Sequence, residues 1–161
     1  NFLELEIVSA ISNKSTALIT PFLKQISTFF LISNTYIMKI KPIEFIVTAV
    51  LLLAIDAIYL KFIGGPFYSL AVKKIQGSEM KFRMYSAFIV YIILITGLYY
   101  FVIGANKTAK EGAFFGLAVY GVFDFTNHAI LDNYSLPLAI MDTVWGSILC
   151  GTTTLLINKF F

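Results

Sequence analysis

From Met84 to Ala105 the chain runs 22 residues without a charged side chain, its only polar groups being Ser86, Thr96 and tyrosine hydroxyls. At about 1.5 Å per residue, a helix of that length crosses the roughly 30 Å hydrocarbon core of a bilayer. In lipid, only helices and closed barrels satisfy every backbone donor and acceptor. The run therefore predicts a membrane-spanning helix.

Three further runs obey the same rule. Residues Ile43 to Ile63 read IEFIVTAVLLLAIDAIYLKFI and end at Gly64, Gly65 and Pro66, which predict a helix stop. Gly112 to Leu131 and Leu136 to Ile157 are long enough to span, although they hold acids, an amide, an imidazole and several glycines. Such residues predict spans that face protein more than lipid. The expected fold is all-α, an integral membrane four-helix bundle. The links Asn106 to Glu111 and Asp132 to Ser135 are tight, and tight links make consecutive helices antiparallel neighbours. The longer link, Gly65 to Arg83, mixes aromatic and basic residues and predicts a short interfacial helix between the first two spans.

Composition agrees with a bilayer: 58% of residues are hydrophobic and 13% charged, and 16 Phe and 9 Tyr suit lipid contact and the membrane interfaces. The net charge of +3 comes from Lys and Arg in the polar links, and no basic face for nucleic acid forms. Cys150 is the single cysteine, so no internal disulfide is possible, and its place in an apolar run reads as a structural thiol. Positive residues divide almost evenly between the two sides: Lys39, Lys41, Lys107, Lys110 and Lys159 against Lys73, Lys74, Lys81 and Arg83, with Lys61 near the latter. Termini in the cytoplasm of a bacterial-type inner membrane are the expectation adopted.

Residues 1–37 differ from the rest. They begin at Asn1, and their apolar stretch is broken by Pro21, Lys24, Gln25 and several small polar residues, while Met38 opens a plausible natural start. The expectation is an extension of translated upstream sequence, with an amphipathic surface helix over Pro21 to Ile37 as the alternative. Residues 38–161 form the membrane domain.

A charged group at membrane depth costs about 2.5 to 3.5 kcal/mol on insertion scales, so acids inside spans need a partner or a purpose. Asp56 lies about 20 Å from the side holding the termini, Asp124 about 18 Å, and Asp142, on a helix running the other way, about 21 Å. Tyr91 reaches the same level. The three acids thus predict one buried polar layer to which every helix contributes. Helical spacing adds Tyr59 to the face of Asp56, Trp145 to that of Asp142, and Tyr120, Asn127 and His128 to that of Asp124. Small residues at Gly112 and Gly116, and at Ser147 and Gly151, predict close helix packing.

The stretches Ile55-Asp56-Ala57-Ile58-Tyr59-Leu60, Phe67-Tyr68, Tyr120-Gly121-Val122-Phe123-Asp124-Phe125-Thr126-Asn127 and Asp142-Thr143-Val144-Trp145-Gly146 resemble the signatures of the predicted membrane proteins grouped as domain of unknown function 2177. The resemblance covers about Ile40 to Phe161. It implies a four-helix bacterial-type membrane protein and brings no established activity. This chain departs from the pattern at Tyr59, where the family more usually has Trp, at Phe123, where it has Tyr, and at His128, where it has an apolar residue.

Three functions remain open on these residues. The layer can bind or pass a proton, a cation or a small polar solute, which is the leading reading. It can serve a lipid-modifying enzyme with an acid or His128 as general base, although no nucleophile motif accompanies it. Or the acids only set helix register in a structural or accessory protein. One histidine without paired thiolates is thin ligand chemistry, so neither metal nor cofactor is expected. The oligomeric state is open.

Overall fold

The computed structural model describes residues 20, 21, 24–27 and 40–161. The chain divides into two units, Asn1–Met38 and Lys39–Phe161. In the first, the described residues are helical and exposed, and the remainder of the expectation for residues 1–37 lies outside the described residues. The residues of the four expected spans all lie in the second unit, where they are helical for most of their length.

Helix α1 spans Pro42–Tyr59, with Pro42 in the first turn, where its missing N–H costs nothing. Its buried residues are Glu44, Thr48, Leu52, Asp56 and Tyr59, one every three or four positions. The apolar side chains Ile43, Ile46, Val50 and Ile58 point outward and are exposed. A helix with polar groups inward and apolar groups outward is suited to lipid, since in water its most apolar surface would stand against solvent.

The expected stop at Gly64, Gly65 and Pro66 does not occur. A π-helical turn, Leu60–Gly64, carries α1 directly into α2, Gly65–Gln76, and the whole forms a continuous helix of 35 residues from Pro42 to Gln76. The π turn shifts backbone pairing so that the Gly65 N–H donates to the Leu60 carbonyl, and Pro66 then falls in the opening turn of α2, where no donor is required. Glycine at 65 is what permits this, because a β-carbon there would press on the Leu60 carbonyl oxygen. The segment expected to form a separate interfacial helix is thus a continuation of the first helix. It ends at Gly77, in the left-handed conformation with φ of 70°, after Lys73 and Lys74 at the negative end of the helix dipole.

Helix α3, Met84–Leu98, ends in a second π turn, Tyr99–Ile103. Helix α4, Ala109–Ile130, opens on a capping box in which the Glu111 carboxylate accepts the Thr108 N–H at 2.7 Å. Helix α5, Leu136–Phe160, starts at Ser135, whose hydroxyl accepts the Leu138 N–H at 3.4 Å. Among the described residues three helices are long and apolar enough to cross a membrane: Pro42–Gln76, Met84–Ile103 and Leu136–Phe160. The fourth expected span coincides with α4, which has 22 residues. Its glycines together with Asp124, Asn127 and His128 hold its mean hydropathy below that of the other three.

The tightest packing joins α4 to α5. Gly112 lies on Thr154 and Cys150, Gly116 on Gly146, and Gly121 on Thr143, so these helices meet backbone to backbone. On the other side of α5, Leu52 of α1 and Leu98 of α3 join Leu149 and Ile157 in an apolar core.

Candidate functional site

Asp56 is 4% exposed, and both of its carboxyl oxygens accept a hydrogen bond. The Tyr91 hydroxyl of α3 donates to Oδ2 at 2.6 Å and the Trp145 indole of α5 donates to Oδ1 at 2.8 Å. One carboxyl therefore ties three helices together. The Tyr59 ring stacks on Trp145, with centroids 4.1 Å apart and planes 9° from parallel, which fixes the indole for its bond to Asp56. Gly64, one turn later, is bare where a β-carbon would sit 2.6 Å from the Tyr59 ring.

Asp124 of α4 and Asp142 of α5 are also buried. The Tyr134 hydroxyl, from the link between these helices, donates to Asp124 Oδ1 at 2.5 Å, and the Tyr68 hydroxyl of α2 donates to Asp142 Oδ2. Asp124 and Asp142 stand close enough to interact directly. Among the described residues, Asp124 Oδ2 is wholly enclosed and receives no hydrogen bond from any donor group, and the enclosed Tyr59 hydroxyl, near Asp142, likewise makes no bond of normal geometry. None of the ion pairs among the described residues involves the three acids. Tyr134 lies outside the long helices, and burial, reinforced by its bond to Asp124, pushes its hydroxyl above its ordinary pKa.

Of the residues expected in one layer, Asp56, Tyr91 and Trp145 meet through hydrogen bonds, Tyr59 stacks on Trp145, and Asp124 meets Asp142. Tyr120 joins them as a packing residue whose ring covers the bare face of Gly146. Asn127 and His128 do not join them. Asn127 is half-buried and its side chain has no hydrogen bond among the described residues, while His128 is exposed near the end of α4. Their stripe points toward α5, but by that depth α5 is in its first turn and covers little.

Sequence reasoning did not find two of the donors. Tyr68 lay in a segment assigned to the interface because Gly-Gly-Pro read as a stop, and Tyr134 lay in a link. Tyr68 also stands in the Phe67-Tyr68 stretch of the family resemblance, whereas Tyr134 carries no signal beyond an aromatic beside a span. A third omission is Glu44, buried in the first turn of α1, which accepts the Tyr99 hydroxyl at 3.2 Å and pairs with Lys41 at 3.4 Å. Among the described residues no three histidine, cysteine or acidic side chains converge as metal ligands.

A family model described as "Predicted membrane protein (DUF2177)" matches residues 42–157, a segment that contains the three aspartates and their tyrosine and tryptophan donors. No curated protein and no solved structure matches the chain.

Proposed function

This chain belongs to the DUF2177 family of predicted membrane proteins, and from that premise we propose that residues 42–160 form four antiparallel spans enclosing a proton-binding carboxyl pair, Asp124 and Asp142, that serves proton or small-solute transport. Support for α4 as the fourth span is geometric. Its contacts with α5 run in opposed order, Gly112 with Thr154, Gly116 with Gly146, Gly121 with Thr143 and Asp124 with Asp142, so it accompanies a helix long and apolar enough to cross. Its 22 residues reach about 33 Å. Its outer face is Phe114, Leu117, Val122 and Phe123, all exposed.

The observation that carries the proton reading is the enclosed Asp124 Oδ2, which has no donor among the described residues and belongs to a carboxyl that interacts with that of Asp142. Two carboxylates about 4 Å apart repel by about 4 kcal/mol at an effective dielectric of about 20. A proton placed between them removes the repulsion and turns one carboxyl into the missing donor. Asp56 is different, because each of its two oxygens already has a donor, Tyr91 or Trp145. Its role is the structural one, fixing α1, α3 and α5 in register. The lipid-modifying alternative gains no support, since His128 stands exposed and apart from the acids.

The test is infrared spectroscopy of the protein in lipid. At neutral pH the wild type should show the C=O stretch of a protonated carboxyl, lost in Asp124→Asn and in Asp142→Asn and kept in Asp56→Asn. A wild type without that band at neutral pH would refute the proposal.

A further inference from the structure

The inward face of α1 is more polar than the carboxyl pair requires. Glu44 and Thr48 continue it toward the start of the helix, 6% and 0% exposed, with Leu52 the one apolar residue between them and Asp56. Glu44 lies 12 residues from Asp56, about 18 Å along the helix. Because Trp145 bonds Asp56 and the two helices run in opposite directions, equal rise brings Leu149 level with Leu52 and Thr153 level with Thr48. The Thr153 hydroxyl is fully enclosed and makes no hydrogen bond among the described residues. An orphaned buried hydroxyl costs about 1 to 3 kcal/mol, and a side chain that only packed would be served as well by Val. The Thr48 hydroxyl donates to the Glu44 carbonyl at 2.7 Å, which leaves its oxygen free to accept.

We infer that Glu44, Thr48 and Thr153 form a proton entry path from the end of the bundle that holds Lys41 to the Asp124 and Asp142 pair, closed midway by Leu52 and Leu149. The path rests on the proton-binding reading of that pair. Glu44 takes a proton from water on its side. With water in the path, the Thr153 oxygen accepts a proton from water on the Glu44 side as its own passes to water on the far side, so each O–H bond broken is matched by one formed and one positive charge moves inward. Leu52 and Leu149 are both fully buried and make an apolar constriction of the kind that conducts only when water enters it. The groups facing Glu44 are the Lys41 ammonium on α1 and the Tyr99 hydroxyl on α3, and at that level α5 presents Thr153 and Ile157, neither of which titrates.

The test uses the full chain reconstituted in vesicles with an entrapped pH indicator, read after an external pH step. Leu52→Ala should raise proton flux by about tenfold or more, and Glu44→Gln and Thr153→Val should each lower it by a similar factor, with Thr153→Ser restoring it. Thr153→Val keeps shape and removes only the hydroxyl, so it stands even if Glu44→Gln does not fold. Unchanged flux in Glu44→Gln and Thr153→Val, or no flux in either the wild type or Leu52→Ala, overturns the path. If the protonated carboxyl band persists in those samples, the proton-binding pair survives that failure. If the band is missing from the wild type, both readings fall together.

Discussion

Replacing Gly116 by Ala should loosen the α4 and α5 pair and disturb the acids two turns away. The added β-carbon would lie 2.9 Å from the Cys150 β-carbon, where ordinary contact begins at 3.4 Å, and closer still to the Gly146 carbonyl oxygen. Backbone cannot rotate aside as a side chain can, so the helices must separate by at least half an ångström along this seam. Overpacking of that kind costs about 1 to 3 kcal/mol. Asp124 lies eight residues from Gly116, about 12 Å along α4, so the separation is felt where Asp124 meets Asp142. Reversible unfolding in mixed micelles measures the first effect, and a shift of the protonated carboxyl band measures the second. Ala118→Leu, on the exposed face of α4, is the control and should cost almost nothing. If Gly116→Ala unfolds like the wild type with an unmoved band, α4 and α5 do not meet backbone to backbone and the packing argument is wrong.

The same contacts set three further outcomes. Tyr91→Phe and Trp145→Phe should each destabilise the bundle by between about 0.6 and 1.7 kcal/mol, the range for membrane hydrogen bonds, and a double-mutant cycle with Asp56→Asn should show that the losses share one carboxyl. Cysteine placed at Ser78 and at Asn133 should react with an impermeant maleimide from the same side, and cysteine at Lys107 from the other, with buried Cys150 silent; labelling of positions 107 and 133 from one side would remove α4 from the spans. Since burial and Asp124 raise the Tyr134 hydroxyl, the folded protein holds that proton more tightly than the unfolded chain. Stability is then complete below the ordinary tyrosine value of about 10 and falls as pH rises beyond it, and Tyr134→Phe should flatten part of that fall in unfolding measured against pH.

Much of the helical layout was legible because lipid forces a single backbone solution on long apolar runs, and the expected bounds of the later helices lie within three residues of those observed. That the three acids are buried was legible for a related reason: helical rise is nearly constant, so counting sets each of them well inside its run. What counting missed depends on local exceptions to that rise. Gly64, Gly65 and Pro66 read as a stop, yet a π turn absorbs them and carries Tyr68 on to Asp142. Tyr134 folds back from a link, where periodicity carries no information. Asn127 and His128 share the stripe of Asp124, but a stripe says nothing about where the partner helix begins. Glu44 sits in a first turn, a place where glutamate is ordinary for dipole reasons, so nothing in its neighbours marked it as buried.

The function proposed for this protein stands or falls on whether Asp124 and Asp142 together hold one proton at neutral pH. Solid-state NMR of protein in lipid, carrying aspartate labelled with carbon-13 at the carboxyl and assigned through Asp124→Asn and Asp142→Asn, observes that proton most directly. The expected result is one protonated carboxyl shared by the pair, with Asp56 outside the shared signal. Two separate, fully ionised carboxylate signals for Asp124 and Asp142 at neutral pH would contradict it.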